Sequence, residues 1–403
     1  MSLKPLHGVR VLDLSRILAG PWCSQQLADM GAEVIKIEKP NEGDDTRRWG
    51  PPWLEHSQES AYYLSANRGK QSVTIDMAQP EGQALLHELV KQCDVVLENF
   101  KVGGLQKYQL DYASLSALKP DLIYCSITGF GQNGPYAQRA GYDFMIQGMG
   151  GLMSLTGRAD SELGGGPVKV GVAFADIFTG LYAANAILAA LFQRQQTGRG
   201  TQIDLALLDV QVGVLANQAL NYLTSGQVPP RLGNAHPNIV PYQAFATQDG
   251  HLILAVGNDA QFQRFCAVAG CPALASDERF LTNALRVDHR QALIPLLLPL
   301  LQQRTTEQWL AALESVGVPC GPINTLDQVF ADPQVQHRQL EIQLPHPEAG
   351  QVKLVSNPIR FDDQALNATT APPLLGQHTQ QVLTEYLGLD AAQQAQLKIK
   401  GVI

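Results

Sequence analysis

Histidine is sparse in this chain and never clustered. Its nine residues fall one at a time across 403 positions, with no HxxxH or HExxH pair, so the spacing of a protein-held metal is missing. Serine never sits in a GxSxG elbow, which removes the hydrolase nucleophile. The six cysteines (Cys23, Cys93, Cys125, Cys266, Cys271, Cys320) lie scattered in apolar runs without framework spacing, and read as buried reduced thiols. Positive charge is the minority: 29 Lys and Arg against 37 Asp and Glu leave a net charge of −8, which argues against nucleic acid or an anionic membrane as partner. Apolar runs break at Asp, Gln, Asn or Gly before the roughly 18 residues a membrane span needs. The opening "MSLKPLHGVRVLDLS" passes directly into a strand pattern, so neither a leader nor a transit segment is expected, and the reading is a cytoplasmic protein.

What is present is an alternation of strands and helices. "VRVLDLS" (9–15) reads as a strand, "GPWCSQQLADMG" (20–31) as a helix, and "AEVIKIE" (32–38) as a second strand. A strand pair joined by a helical crossover lies parallel. The pattern repeats through "PEGQALLHELVKQC", "DVVLENF", "YASLSALKP" and "DLIYCSITGFG", which predicts an open, mostly parallel, Rossmann-like α/β sheet. Its first turn, Ser15 to Pro21, lacks GxGxxG, so a nicotinamide or flavin enzyme loses its main support. A helix is expected over about 177–195, then a turn, a strand and a helix running to about 225. The expected organisation is a large α/β domain over 1–223, a Gly/Pro-rich linker over 224–238, a small α+β domain over 239–330, and a return segment over 331–403 that completes the large domain.

One acid interrupts the most apolar stretch, "VGVAFADIFTGLYAANAILAALF". Asp176 reads first as an N-cap, since Asp accepts hydrogen bonds from the free amides of a starting helix. A second reading is compatible with it. An acid at a helix N-terminus is favoured as the anion by the helix dipole, and an apolar surround leaves it poorly solvated, which suits a nucleophilic carboxylate. The triple glycine at 164–166 lacks the Lys-Ser/Thr of a phosphate loop and reads as a turn or lid.

The ordered segments "LHGVRVLDLSRILAGP", "GAEVIKIE", "NRGKQSVTID", "VLENF", "ITGFGQNGPY", "DIFTGLYAA", "QTGRGTQID", "GNAHPNIVPYQAF", "VGVPCGPIN" and "PPLLGQHTQQVL" together resemble the family III CoA-transferases over nearly the whole chain. The stretch 176–222 and "GNAHPNIVPYQAF" are most similar to the branch acting on succinate with hydroxymethylglutarate or glutarate. The resemblance implies that Asp176 is the nucleophile, that CoA or acyl-CoA is a substrate with no permanently bound cofactor and no metal, and that two chains interlock as a homodimer. It also implies a small carboxylic acid as second substrate. Succinyl-CoA is the expected donor and a dicarboxylate the expected acceptor.

Carried over position by position, the resemblance places Arg16, Ile17, Leu18 and Ala19 against CoA. It puts Lys39 and Lys107 on the nucleotide phosphates, Ile75, Asn99 and Phe100 along adenine and pantetheine, and Arg139 and Tyr142 close by. Arg16, Arg139, Arg158, Lys169 and His236 are the candidates for a distal carboxylate. Two alternatives stand beside the transferase. The α-methylacyl-CoA racemases, which are similar in fold, use a histidine where this chain has Gly141-Tyr142-Asp143, and a phenol is a poor base at neutral pH. A non-enzymatic CoA-binding protein would keep the lysines without acyl exchange.

Overall fold

The strand and helix alternation folds as β1 (Arg10–Asp13), α1 (Ala19–Asp29), β2 (Glu33–Glu38), β3 (Lys70–Thr74), α2 (Pro80–Lys91), β4 (Val95–Glu98), α3 (Tyr112–Leu118), β5 (Ile123–Thr128), α4 (Asp143–Met149), α5 (Phe174–Thr197) and β6 (Thr201–Ala206). The computed structural model describes residues 4–403. All six strands pair in parallel in the order β3-β2-β1-β4-β5-β6. Leu12 of β1 lies opposite Ile35 on one side and Val96 on the other. The chain therefore starts at the middle of the sheet, builds outward to β3, then returns to β4 and builds the other way. Between β1 and β4 the crossovers diverge, which opens a crevice at the carboxyl ends of the strands.

Both faces of the sheet are covered, and that is why its strands are apolar throughout rather than alternating. Val11, Val34, Val95 and Leu97 pack on one face with Cys23 and Leu27 of α1 and Ala183 and Ile187 of α5. Leu12, Ile35, Val73 and Val96 pack on the other with Leu86 and Leu89 of α2 and with Val382 and Leu383. Each fully buried Val, Leu or Ile among them contributes about 1.5–3 kcal/mol relative to exposure. Gly180 sets how closely α5 can approach α1: a Cβ there would stand 2.7 Å from the Ala19 carbonyl oxygen.

Helix α5 corrects the expectation from apolar run length. By length and composition it could cross a bilayer, because a single acid and scattered small residues do not break a helical stretch of 24 residues. Its Ala175, Thr179, Ala183, Ala184 and Ile187 are nevertheless buried in the protein. After β6 the expected continuous helix is two: α6 (Leu207–Gly213) and α7 (Ala216–Ser225), broken where Ala216 takes φ 47°.

By internal contacts this sheet unit comprises residues up to 152, 170–224 and 333–403; a second unit comprises 153–169 and 225–332. The loop 153–169, inside the stretch read as the large domain, thus clusters with the second unit, as do the Gly/Pro-rich residues from 225. The second unit holds the antiparallel strands β7 (Tyr242–Ala246), β8 (His251–Ala255) and β9 (Cys320–Pro322), with the hairpin turn at Gln248-Asp249-Gly250. Its core gathers Phe245, Leu252, Phe262, Phe265 and Trp309. The return segment adds the hairpin β10 (Glu341–His346) and β11 (Gly350–Val355), then helices α8 (Thr379–Leu387) and α9 (Ala391–Ile399), to the first unit.

Candidate active site

A cavity of about 400 Å³ opens at the switch point of the sheet. It is walled by the turn after β1 (Arg16, Ile17, Leu18, Ala19), the loop after β4 (Asn99, Phe100, Lys101, Lys107), the segment after β5 (Arg139, Tyr142), and Asp176. A second cavity of about 280 Å³ shares Arg16, Phe100 and Tyr108 with it and reaches Lys39 and Ile75 at the ends of β2 and β3. Every residue that the sequence offered for CoA contact lies in one or the other. Of the five cations offered for a distal carboxylate, Arg16 and Arg139 line the Asp176 cavity, whereas Arg158, Lys169 and His236 belong to the second unit.

Asp176 is not the cap of its helix. Helix α5 begins at Phe174, and Asp176 lies in its first turn. The amides of Ala175 and Asp176 donate instead to Asp143 Oδ1, at 2.8 and 3.3 Å. Asp143 Oδ2 accepts from Gln147 Nε2 at 2.7 Å, and Gln147 Oε1 in turn accepts the Val170 amide at 2.9 Å. Cap and reactive acid are therefore different residues, and the cap's negative charge sits beside the acid. Although Asp176 keeps a window onto the cavity, its carboxyl is largely withdrawn from water. Burial, reinforced by the Asp143 charge, pushes it up to about 7. The poor solvation expected from the apolar surround is present, and with the Asp143 charge it outweighs the helix N-terminus that was expected to hold the carboxyl as the anion.

The segment carrying Arg139, Tyr142 and Asp143 is pinned to the exit of β5. A Cβ on Gly141 would sit 2.3 Å from the Gly129 Cα, so only two glycines allow the two backbones to lie this close. Tyr62, which sequence reasoning passed over, also faces the acids: burial and then the charges of Asp176 and Asp143 push its hydroxyl up to about 12, so it stays a neutral donor there. Its ring meets Trp49 edge-on at 5.1 Å.

The turn after β1 is held by buried charge. Ile17 has φ 71°, a left-handed conformation that a β-branched residue adopts only under constraint. Its amide donates to both oxygens of Asp44 at 3.3 Å, while Asn99 accepts from the Arg16 amide at 2.9 Å and donates to the Arg16 carbonyl at 2.7 Å. Lys36 Nζ donates to Asp44 at 2.9 Å and to the Ser15 carbonyl at 2.9 Å, and both side chains of the pair are 0% exposed. Burial opposes the Asp44 charge, but Lys36 and the Thr46 donors outweigh it and hold the carboxyl at about 2. The one sequence signal for this was a lysine inside the apolar run of β2, "EVIKIE". Next to the turn, Glu98 Oε2 accepts the Phe100 amide at 2.7 Å and so orients the loop after β4.

Among the described residues no three His, Cys, Asp or Glu side chains gather as a metal-binding group. What the site offers is one weakly solvated carboxyl, a strained backbone turn, and four cations (Arg16, Lys101, Lys107, Arg139) in a chain that is acidic overall. That combination suits a polyanionic ligand carrying an electrophilic carbonyl.

Comparison with known proteins agrees with this geometry. The family model "CoA-transferase family III" matches residues 6–379. A succinate–glutarate CoA-transferase of Agrobacterium fabrum is 53% identical over 385 residues, 94% of this chain and 95% of that one. The succinyl-CoA:glutarate CoA-transferase of Homo sapiens is 44% identical, over 100% of this chain and 90% of its own. The crystal structure of a CAIB/BAIF family protein from Brucella suis is similar with a TM-score of 0.84 and 53% identity, covering 96% of this chain and 100% of that one.

Proposed function

The chain belongs to CoA-transferase family III, and on that premise we propose that it moves CoA from succinyl-CoA to a second dicarboxylate through a thioester on Asp176. The observation that carries the reading is Asp176 itself: a poorly solvated carboxyl at a helix N-terminus, opening onto the cavity at the sheet's switch point. The ionised carboxylate attacks the succinyl thioester carbonyl, breaking the C–S bond to give a mixed anhydride and CoA thiolate. The thiolate then attacks the Asp176 carbonyl carbon, releasing succinate and leaving an aspartyl-CoA thioester. The acceptor carboxylate attacks that thioester, forming a second anhydride, and the expelled thiolate takes the acceptor's acyl carbon. Asp176 is returned as the carboxylate with no net proton change. Thioester energy survives because no intermediate meets water, which requires the cavity to be shut during turnover.

CoA lies, in this reading, across both cavities, with its nucleotide toward Lys39 and Ile75 and its thioester toward Asp176. Arg16 to Ala19, Asn99, Phe100, Lys107 and Tyr142 flank the path between. Glutarate is the acceptor favoured by the relatives' names. The protein is further proposed to work as an interlocked homodimer: Leu181, Tyr182 and Phe192 on α5 and Leu220 and Leu223 on α7 are exposed, and a second copy would cover them. A cytoplasmic location is supported by six cysteines that are all free thiols.

The test is covalent trapping. Incubation with succinyl-CoA followed by hydroxylamine or borohydride is expected to modify one peptide, that containing Asp176. Asp176→Asn should give no label and lose transfer by several orders of magnitude while staying folded and binding CoA. A label elsewhere, or full activity of the variant, rejects the mechanism.

A further inference from the structure

The four cations of the Asp176 cavity are not equivalent. Arg16 is already engaged, 3.3 Å from Asp45 and over the Phe100 ring at 5.3 Å. Lys107 sits over Tyr108 at 4.6 Å, and Lys101 follows Phe100 directly; Phe100 and Tyr108 are two of the residues shared with the second cavity. These three therefore gather where the two cavities join. Arg139 stands apart. It is carried on the segment after β5 that Gly129 and Gly141 pin in place, four residues before the Asp143 that caps the Asp176 helix.

Arg139 is also held by aromatic rings rather than by a carboxylate. Its guanidinium lies over Tyr136 at 4.6 Å and Phe130 at 5.2 Å, two rings that meet edge to face at 5.5 Å. Among the described residues no carboxylate is within ion-pair distance of it, and its Nη2 has the Met149 sulfur at 4.0 Å. A cation–π contact engages the charge of a guanidinium without accepting its N–H groups, and these match a carboxylate in a two-point contact.

We infer that Arg139 is the residue that selects dicarboxylates, receiving on its guanidinium edge the distal carboxylate of the acyl chain whose other end reacts at Asp176. The inference rests on the CoA-transfer reading. Donor and acceptor acyl groups react in turn at the same carboxyl, so one cation serves both, which fits a reaction in which each partner is a dicarboxylate.

The test compares glutarate with its monomethyl ester, nearly the same shape with one carboxylate, as acceptors in wild type, Arg139→Gln and Arg139→Lys. Binding of free CoA, which has no acyl chain, is titrated in parallel by calorimetry. Arg139→Gln is expected to lower the kcat/KM preference for glutarate over the ester by about tenfold or more, as loss of a charged hydrogen-bond partner does, with Arg139→Lys keeping part of it. CoA affinity should change less than about twofold. An unchanged preference overturns the inference, as does a fall in CoA affinity with both acceptors affected equally, which would assign Arg139 to the nucleotide phosphates. Failure of the CoA-transfer reading looks different: wild type would then transfer CoA to neither acid.

Discussion

Replacing Asp143 by asparagine should move the acid limb of the enzyme's pH profile, because in this structure the cap of α5 is also a charge beside the reactive carboxyl. Asparagine caps a helix as well as aspartate does, so its oxygen can keep the Ala175 and Asp176 amides. Its amide would face Gln147 Nε2, and turning Gln147 round to accept from it sacrifices the bond to the Val170 amide, at a cost of about 1 kcal/mol. The electrostatic change is separate from that loss. Asp176 is raised to about 7 chiefly by burial and secondly by Asp143, so removing the charge should lower it and leave the burial effect in place. Only the carboxylate attacks, so wild-type activity falls as pH drops through about 7. At about pH 6 wild type has roughly one site in eleven ionised, so a lowered limb shows there as a larger share of the variant's own plateau rate, about fivefold larger for a limb one pH unit down. The assay is kcat/KM for succinyl-CoA against pH, since that parameter reports the free enzyme, with each profile normalised to its plateau. An acid limb that stays in place or moves upward on substitution would refute the coupling, and a wild-type limb near the ordinary carboxylate range would refute the burial of Asp176.

The Asp176→Asn variant has a second readout. A folded-state carboxyl raised to about 7 costs stability as pH rises from the unfolded value toward that figure, so the amide should raise Tm above neutrality and make no difference at strongly acid pH. The gain expected at alkaline pH is about 1–3 kcal/mol, allowing for the window onto the cavity; equal melting at all pH values would contradict the burial. Lys39→Ala and Lys107→Ala should each raise KM for acyl-CoA several-fold and alter its salt dependence, with turnover at saturation less affected. Unchanged CoA binding by calorimetry in both would remove them from the site. Gly141→Ala forces its backbone away from Gly129 and displaces the segment bearing Arg139 and Asp143, so kcat/KM should fall by roughly a hundredfold for a shift near 1 Å; near-normal activity would show that the segment tolerates movement.

The sheet was legible because its cause is local. Apolar runs such as "VRVLDL" and "DVVLENF", separated by helical stretches, already require strands buried on both faces and joined in parallel. Asp176 was legible for a similar reason, as one acid in an apolar stretch that begins a helix. What could not be read was which distant residue would meet it. The cap on its helix comes from Asp143, 33 residues earlier, and no local pattern distinguishes that acid from any other. Tyr62, the Lys36–Asp44 pair and the strained Ile17 turn depend likewise on elements that meet only when β1, β2 and β4 are assembled side by side. The break at Ala216 and the place of 153–169 in the second unit are of the same kind. By itself the sequence determined the α/β sheet and marked the acid, since periodicity and composition report on burial, while most of the residues around that acid were named only through the family resemblance. The tertiary structure alone decided that the acid is half-neutral near pH 7, because that depends on how much water and how much like charge the fold leaves around one carboxyl.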